Sequence, residues 1–486
     1  MSEQAEKGEW PNNELPRTWA WIPFSEAWSD STDSAKKLKQ KEYLDEGPLP
    51  VVDQGEGLIG GFTDQLGLKN GVELPCIVFG DHTRAVKFID FEFAQGADGV
   101  KVLRPNCQYD PEFAHHALRC VRLPNKGYSR HFKFLKSTRF PIPPLPEQRR
   151  IVAKLDRLSA RSAAARDHLA HTTKLATRAK QAILRAAFSG ELTKAWRATA
   201  PAADAAQYLA TLSQLRKVEW LKGERRRKPD VAPEALARRY KEATISSVDG
   251  MPKLPDGWAW LSVEAISTKV SDGVHKKPDY VAEGIPFVTV KNLTAGDGIS
   301  FENTNFVTES DHQEFIKRTD PEFGDILISK DGTLGVVRRV DTEKVFSIFV
   351  SVALVKPADR SMSQYLEYAF QSPQMQEQMV GVGSGLQHIH LTDLRKDLLP
   401  IAPVGEQNEI VRRIVAAFAR IDRLADEATR AAHLLDRLDE RLLAKAFRGE
   451  LVPQDPEDEP AEALLARIRQ ARAAAPKPKR GRRKAS

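Results

Sequence analysis

Short turns marked by glycine carry most of the side chains in this sequence that can grip a phosphate or read a base edge. One is Gly80-Asp81-His82-Thr83-Arg84, with Lys87 just beyond it, and another is Gly127-Tyr128-Ser129-Arg130-His131-Phe132-Lys133. A comparable set lies further along the chain. It comprises Asp272-Gly273-Val274-His275-Lys276-Lys277, Lys291-Asn292, Ser329-Lys330-Asp331-Gly332-Thr333 and Gln387-His388-Ile389-His390. Lys and Arg neutralise phosphates, while Arg, Asn, His and Thr present donors and acceptors that match base edges. The candidate nucleic-acid residues are therefore His82, Thr83, Arg84, Lys87, Arg130, His131 and Lys133, then His275, Lys276, Lys277, Lys291, Asn292, Lys330, Thr333, His388 and His390. Any one of these turns also suits an ordinary surface loop. Two comparable sets in one chain carry more weight.

Other chemistry finds little support. No Walker A sequence occurs, and no dinucleotide fingerprint follows a strand. Gly381-Val382-Gly383-Ser384-Gly385 has a glycine rhythm, but it falls near the end of a predicted helix and is expected to be a flexible loop. Asp110-Pro111-Glu112-Phe113 lacks the second proline of the run with which an amino-methyltransferase holds a flipped adenine. Pro255-Asp256 is not followed by a Glu-x-Lys nuclease triad. His115-His116 and the His388/His390 pair lack Cys or carboxylate partners at ligand spacing. No catalytic residue, metal ligand or cofactor site is expected.

The chain has 486 residues, enough for about three domain-sized units. It is 41% hydrophobic and 29% charged, with a mean hydropathy of −0.44, and no apolar run is long enough for a membrane span. The start, Met1-Ser2-Glu3-Gln4-Ala5-Glu6, lacks the pattern of a secretory signal. Cys76, Cys107 and Cys120 are too few and too scattered for a disulfide framework, so a reducing cytoplasm is the expected location. A net charge of +7 permits a polyanionic partner. Part of that charge sits in Pro476–Ser486, expected to be a solvated tail.

The elements that must position these turns occur twice. Leu15-Pro16-Arg17-Thr18-Trp19-Ala20-Trp21 returns as Leu254-Pro255-Asp256-Gly257-Trp258-Ala259-Trp260, and Tyr43-Leu44-Asp45-Glu46-Gly47 returns as Tyr280-Val281-Ala282-Glu283-Gly284. Pro146-Glu147-Gln148 answers Gly405-Glu406-Gln407, and Ala187-Phe188-Ser189-Gly190-Glu191-Leu192 answers Ala446-Phe447-Arg448-Gly449-Glu450-Leu451. The offset is 239 residues at the Trp motif but 259 at both the Glu-Gln and the Gly-Glu-Leu motifs. The stretch between the last two has kept one length, while the stretch before it has diverged.

The constant stretches read as helices. Ile151, Leu155, Leu158, Ala165, Leu169, Ala176, Ala179 and Ile183 follow the 3.5-residue period of a coiled-coil seam. So do Ile410, Ile414, Ala417, Ile421, Leu424, Ala428, Leu435, Leu438 and Leu442. Each helix would run about 63 Å at ~1.5 Å per residue, and Gly190 and Gly449 suit the position past its end. The variable stretches read as globular. Strands are predicted at Val51-Val52, 76–79, 286–290, 325–328 and 347–350, and helices at 365–379, 203–221 and 233–242 with a basic hinge between the last two.

With both motif pairs and Phe140-Pro141-Ile142-Pro143-Pro144-Leu145-Pro146-Glu147-Gln148-Arg149-Arg150-Ile151-Val152 in view, nearly the whole chain resembles the DNA-specificity subunit of a Type I restriction-modification system. The resemblance implies an α+β fold with an internal pseudo-two-fold repeat: two globular mixed α/β target-recognition domains joined by two long antiparallel coiled-coil spacer helices. It divides the chain into a first target-recognition domain (1–145), a spacer helix (146–192), a helical and basic linker (193–253), a second target-recognition domain (254–402), a second spacer helix (403–452) and a C-terminal helical segment with a basic tail (453–486). Each domain would read half of a split site in double-stranded DNA. The implied partners are two methyltransferase subunits and restriction/translocase subunits, which carry the catalysis. A coiled-coil scaffold without sequence-specific binding, or a self-contained nuclease with an unfamiliar site, remain the competing readings.

Overall fold

The computed structural model describes residues 8–11, 14–96, 99–106, 109–127, 129–200, 205–243, 247–379, 381 and 387–474. Cys107, Tyr128, most of the Gly381–Gly385 run and the tail from Pro476 lie outside them. The chain forms two compact units, one of residues 1–170 and 429–486, the other of residues 171–428.

In the first unit the strands Trp28–Asp30, Val100–Pro105, Cys76–Gly80 and Val86–Ile89 lie side by side in that order in an antiparallel sheet. Cys76–Gly80 is buried along its whole length, which is why it reads as a continuous apolar run rather than an alternating one. A smaller sheet orders Lys37–Leu38, Ala94–Gly96, Leu49–Val52 and Gly61–Thr63. The helix Pro111–Cys120 starts where Asp110 accepts the amides of Glu112 and Phe113 and Pro111 needs no partner. A ribbon pairs Ala20 with Ile142 and Pro23 with Arg139, and so delivers the chain to the first long helix, Leu145–Phe188.

The second unit repeats the plan. Ser267–Asp272, Val352–Pro357, Ile326–Ser329 and Val337–Arg339 follow the same spatial order, and the ribbon pairs Ala259 with Ile401 before the second long helix, Val404–Ala446. Tyr109 donates its hydroxyl to the Pro141 carbonyl at 2.5 Å, and Tyr365 donates to Pro400 at 2.6 Å. Gln148 donates to Pro143 at 3.0 Å, and Gln407 to Ala402 at 2.7 Å. The two long helices thus begin at equivalent residues, although Val404-Gly405 stands where the first copy has Leu145-Pro146.

Each unit takes in the end of the other copy's long helix. Phe447 is buried among Phe113, Phe140 and Ile151 in the first unit, and Phe188 among Tyr365, Phe370 and Ile410 in the second. Burial of each ring contributes about 1.5–3 kcal/mol. Gly449, at φ +73°, abuts Pro16, where an added Cβ would lie 2.3 Å from Cγ. Gly190, at φ +81°, stands in the same way against Pro255, also at 2.3 Å. These contacts explain the Ala-Phe-x-Gly-Glu-Leu and Leu-Pro motifs together: each helix end is a socket for the other copy's first proline.

The long helices pair antiparallel. In the first unit Ser162 donates to Asp439 at 2.8 Å, and Arg166 reaches Asp436 at 2.9 Å and Asp439 at 2.7 Å. In the second, Lys180 meets Asp422 at 2.5 Å. The expected apolar stripe of the first helix is buried or half-buried along its length. In the second helix Leu424 and Leu438 depart from expectation, being 59% and 46% exposed. From Ile421 the seam steps four residues and then three, so Ala425 and Asp439 take these places, while Ala428, Leu435 and Leu442 stay on it.

Local differences from the sequence reading have simple causes. The helix expected over 365–379 breaks at Ser372, whose hydroxyl caps a second segment opened by Pro373. The expected basic hinge after Leu221 is the last turn of the helix Ala205–Arg227, where buried Glu224 holds Arg227 and Lys228. The short helix after it covers only Pro233–Ala237. Val352–Pro357, unmarked in the sequence reading, is a central strand buried at all six residues, without the alternation that reveals a half-exposed strand.

Candidate nucleic-acid interface

In the first unit the buried strand Cys76–Gly80 ends in a hairpin to Val86–Ile89, closed by Gly80 N–H to the Ala85 carbonyl at 2.8 Å. Asp81, 4% exposed, is the knot of this turn. Its amide donates to Gly99, and its carbonyl accepts from the His131 amide at 2.8 Å and faces His131 Nδ1 at 3.0 Å. Its carboxylate accepts from the Phe132 amide at 2.7 Å and so caps the short helix Phe132–Lys136. The two turns singled out in the sequence are brought together by one residue.

The side chains then divide by exposure. His131 is wholly buried. Lys87 is 5% exposed and stands 3.4 Å from Asp53; burial lowers its ammonium pKa and Asp53 opposes the shift. As placed, these two hold the turns rather than face outward. Thr83, Arg84, Arg130 and Lys133 are exposed, and His82 is half-buried. Arg84 has φ +64°, a backbone state rare for residues other than glycine, and its amide is held by the Gly80 carbonyl at 2.8 Å. Strain of this kind costs on the order of 1–3 kcal/mol and is retained where the surroundings enforce it. Gln54, which the sequence reading missed, supports the turn from below. Its carbonyl accepts the Thr83 hydroxyl at 2.6 Å and its side chain accepts the His82 amide at 3.3 Å.

The second unit places its turns in the same way. Lys330 follows the strand Ile326–Ser329, and its carbonyl accepts the Ile389 amide at 2.9 Å. His390 precedes the short helix Leu391–Leu394, as His131 precedes its own. Here a charge network replaces the aspartate knot. Lys330 lies 3.6 Å from both Asp272 and Asp331, and His388 Nδ1 meets Asp331 at 2.5 Å. Arg318 binds the Asp272 carboxylate and its carbonyl, and its Nη2 lies 2.9 Å from His275 Nε2. His275, Lys330 and His388 are therefore brought together, with Lys330 only 12% exposed between two carboxylates.

Lys276, Lys277, Lys291, Thr333 and His390 are exposed, and Lys277 rests over the Tyr280 ring. Asn292 is 5% exposed and bonds Ser300 at 2.9 Å and Thr304 at 2.7 Å, so it shapes its loop from within. Arg318 had no sequence signal, because it lies 43 residues from His275 at the end of an unremarkable short helix. Among the described residues, no three His, Cys, Asp or Glu side chains group as a metal site. No helix among them is long and apolar enough to cross a membrane.

These features define a class: a duplicated α+β chain with two equivalent loop clusters and a pair of antiparallel long helices. Residues 268–427 match the family model of the Type I restriction modification DNA specificity domain. The chain is 26% identical over 364 residues to the Type I restriction enzyme EcoKI specificity subunit of Escherichia coli K12, covering 71% of this chain and 66% of that relative. It is 24% identical to the StySPI specificity subunit of Salmonella potsdam, across 97% of this chain and 99% of the relative. A solved chain from work on assembly and conformational transition of the type I R-M system shares the fold, with a TM-score of 0.55 at 18% identity, covering 90% of this chain and 100% of that one. The chain is thus similar to Type I restriction-modification DNA specificity subunits in sequence and in fold.

Proposed function

We propose that the chain reads a bipartite site in double-stranded DNA, one half through residues 1–145 and the other through 254–402. The helical segments 146–192 and 403–452 act as spacers, and 193–253 and 453–486 as linker and C-terminal segment. The observation that carries this reading is the equivalence of the two loop clusters. Each lies where a central buried strand ends beside the residue preceding a short helix, yet most of the side chains differ. A shared scaffold whose loops keep an equivalent histidine, His131 and His390, but differ in most other side chains suits two readers of different sequences. Arg84, Arg130 and Lys133 in the first domain are the outward cations suited to contact DNA, as are Lys276, Lys277 and Lys291 in the second. His82, Thr83, His275, Thr333 and His390 complete the exposed or half-exposed set; Lys87, His131, Asn292, Lys330 and His388 support it.

The chain supplies no catalysis and holds no cofactor in this reading. Two methyltransferase subunits and restriction/translocase subunits act on the DNA that it selects, in the cytoplasm. The test is an exchange of residues 15–145 for the equivalent segment of a related chain, followed by mapping of methylated adenines. One half-site should change and the other should stay. A change in both would refute independent reading, and salt-sensitive binding without any sequence preference would refute reading altogether.

A further inference from the structure

The hairpin between Leu49–Val52 and Gly61–Thr63 is closed at its base, Val51 facing Gly61 and Gly60 N–H reaching the Val51 carbonyl at 2.9 Å. Its tip, Gly55-Glu56-Gly57-Leu58-Ile59-Gly60, carries two consecutive large aliphatic side chains, 50% and 40% exposed. The second unit shows that such exposure is not forced by the fold. There the hairpin between Ile285–Val288 and Asn305–Val307 holds the equivalent place, since Val281 bridges Phe306 as Leu44 bridges Phe62. Its aliphatic and aromatic residues, Ile299 and Phe301, pack onto the buried cluster around Val288 and Phe346. One copy tucks these side chains in, and the other turns them out.

The first-unit tip is also tied to the candidate DNA-reading turn. Gln54, four residues before Leu58, accepts the Thr83 hydroxyl and the His82 amide, and Asp53 pairs with Lys87. Thus an apolar tip on a stiff stem, flanked by glycines that let backbone approach closely, rises from the same support as Arg84. Aliphatic side chains presented beside phosphate-binding cations are suited to enter a base step, unstack it and bend the duplex.

We propose that Leu58 and Ile59 form an apolar wedge that inserts at a base step in or beside the first half-site and kinks the DNA. This rests on the reading that residues 1–145 face DNA. The wedge makes the deformability of the entered step part of recognition, at a position where no hydrogen bond reads the base. It belongs to the first half-site alone, because the second unit's counterpart residues, Ile299 and Phe301, are half-buried and packed against a core cluster.

The test compares the wild-type chain with a Leu58→Ser/Ile59→Ser variant, each with its methyltransferase subunits, on an end-labelled duplex carrying the mapped site. Both residues are exposed, so thermal unfolding should be unchanged. The wild type should bend the duplex by tens of degrees, read as energy transfer between the ends. The variant should lose that bend and about tenfold in affinity, with its salt slope unchanged because phosphate contacts remain. A duplex made flexible by a mismatch at the entered step should restore most of the variant's affinity. A variant that bends and binds like the wild type overturns the wedge while leaving DNA reading intact. Wild-type bending with weakened capture of the methyltransferase subunits would assign the tip to a protein contact and also overturn it. If the wild type itself shows no preference for the site, the reading of residues 1–145 as a DNA reader fails, and the wedge with it.

Discussion

Replacing Glu406 by Gln should loosen the second unit and spare the first. Glu406 is 3% exposed at the start of the second long helix. One carboxylate oxygen accepts Thr193 Oγ1 at 2.6 Å and Arg197 Nε and Nη2 at 2.9 and 2.7 Å; the other accepts Trp258 Nε1 at 2.8 Å. All four contacts are donors. A glutamine has one acceptor oxygen and one donor amide, so whichever way it turns, its NH2 faces a donor. The variant also leaves Arg197, 25% exposed, without its counter-charge. Charged hydrogen bonds contribute about 1.5–3 kcal/mol each, and breaking a buried ion pair costs about 3–5 kcal/mol. After discounting for the partly exposed guanidinium, the cost should be about 2–4 kcal/mol. Hydrogen exchange reads this by unit. Protection of the ribbon Ala259–Ser262 and of the segment after Phe188 should fall by a factor of about 30–1000, with Ala20–Pro23 and its partner strand as internal control. A loss below about 1 kcal/mol would refute the view that this carboxylate fastens the helix start.

Glu147 is the counterpart, 1% exposed, bound by Gln454 at 2.5 Å rather than by an arginine fork. Burial raises its carboxyl above the ordinary value of 4.5 against the opposing pull of Trp19, Gln454 and Arg150. The folded state therefore holds this proton more tightly than the unfolded chain, and lowering the pH through the raised value towards about 4.5 should stabilise the first unit. Glu147→Gln should abolish that gain, seen as a difference between the two unfolding-versus-pH curves, and should cost less at neutral pH than Glu406→Gln. Arg84→Ala should weaken specific binding by about 1–3 kcal/mol and relax one position of the first half-site if the guanidinium reads a base. If it grips phosphate, binding should weaken evenly across sequences and the salt slope should fall. No change of either kind would remove Arg84 from the interface.

Periodicity and repetition made the architecture legible. The seam from Ile151 to Ile183 needs only local spacing, and the two Glu-Gln motifs mark equivalent helix starts without any knowledge of partners. The candidate interface was less legible for a physical reason. Residue type announces which side chains can bind DNA, but exposure is decided by contacts distant in sequence. His131 and Arg130 are neighbours, yet the first is wholly buried against Asp81, 50 residues earlier, and the second is exposed. Lys330 has the type of a phosphate ligand, and its type does not reveal that Asp272 and Asp331 stand on either side of it. Arg318 and Gln54 were invisible because nothing local marks them. Leu424 and Leu438 failed for a different reason: from Ile421 the seam steps four residues and then three, so Ala425 and Asp439 take the places that residue type assigned to the leucines.

The constant offset of 259 residues follows from how the long helices are fastened. Each helix start is bound by residues just past the end of the other helix: Glu147 by Gln454, and Glu406 by Thr193 and Arg197. Each helix end also meets the other copy's proline, Gly449 against Pro16 and Gly190 against Pro255. With helices of 44 and 43 residues, a length change in one must be met by the other or a fastening opens. Four residues inserted beside Thr172 lengthen one helix by about 6 Å and turn it by about 400°, so its inner face nearly returns. The ion pairs Arg166–Asp436 and Lys180–Asp422 can then no longer form together. That single insertion should cost protection at one of the two fastenings. A second insertion of four residues beside Arg430, opposite the first on the register set by those pairs, should restore both. Methylation mapping on the doubly extended chain should show both half-sites unchanged and the central gap longer by one or two base pairs, since about 6 Å is under two steps of ~3.4 Å. An unchanged gap at full activity would show that helix length does not set it. A single insertion as well protected as the double one would show that the fastenings do not constrain the helices at all.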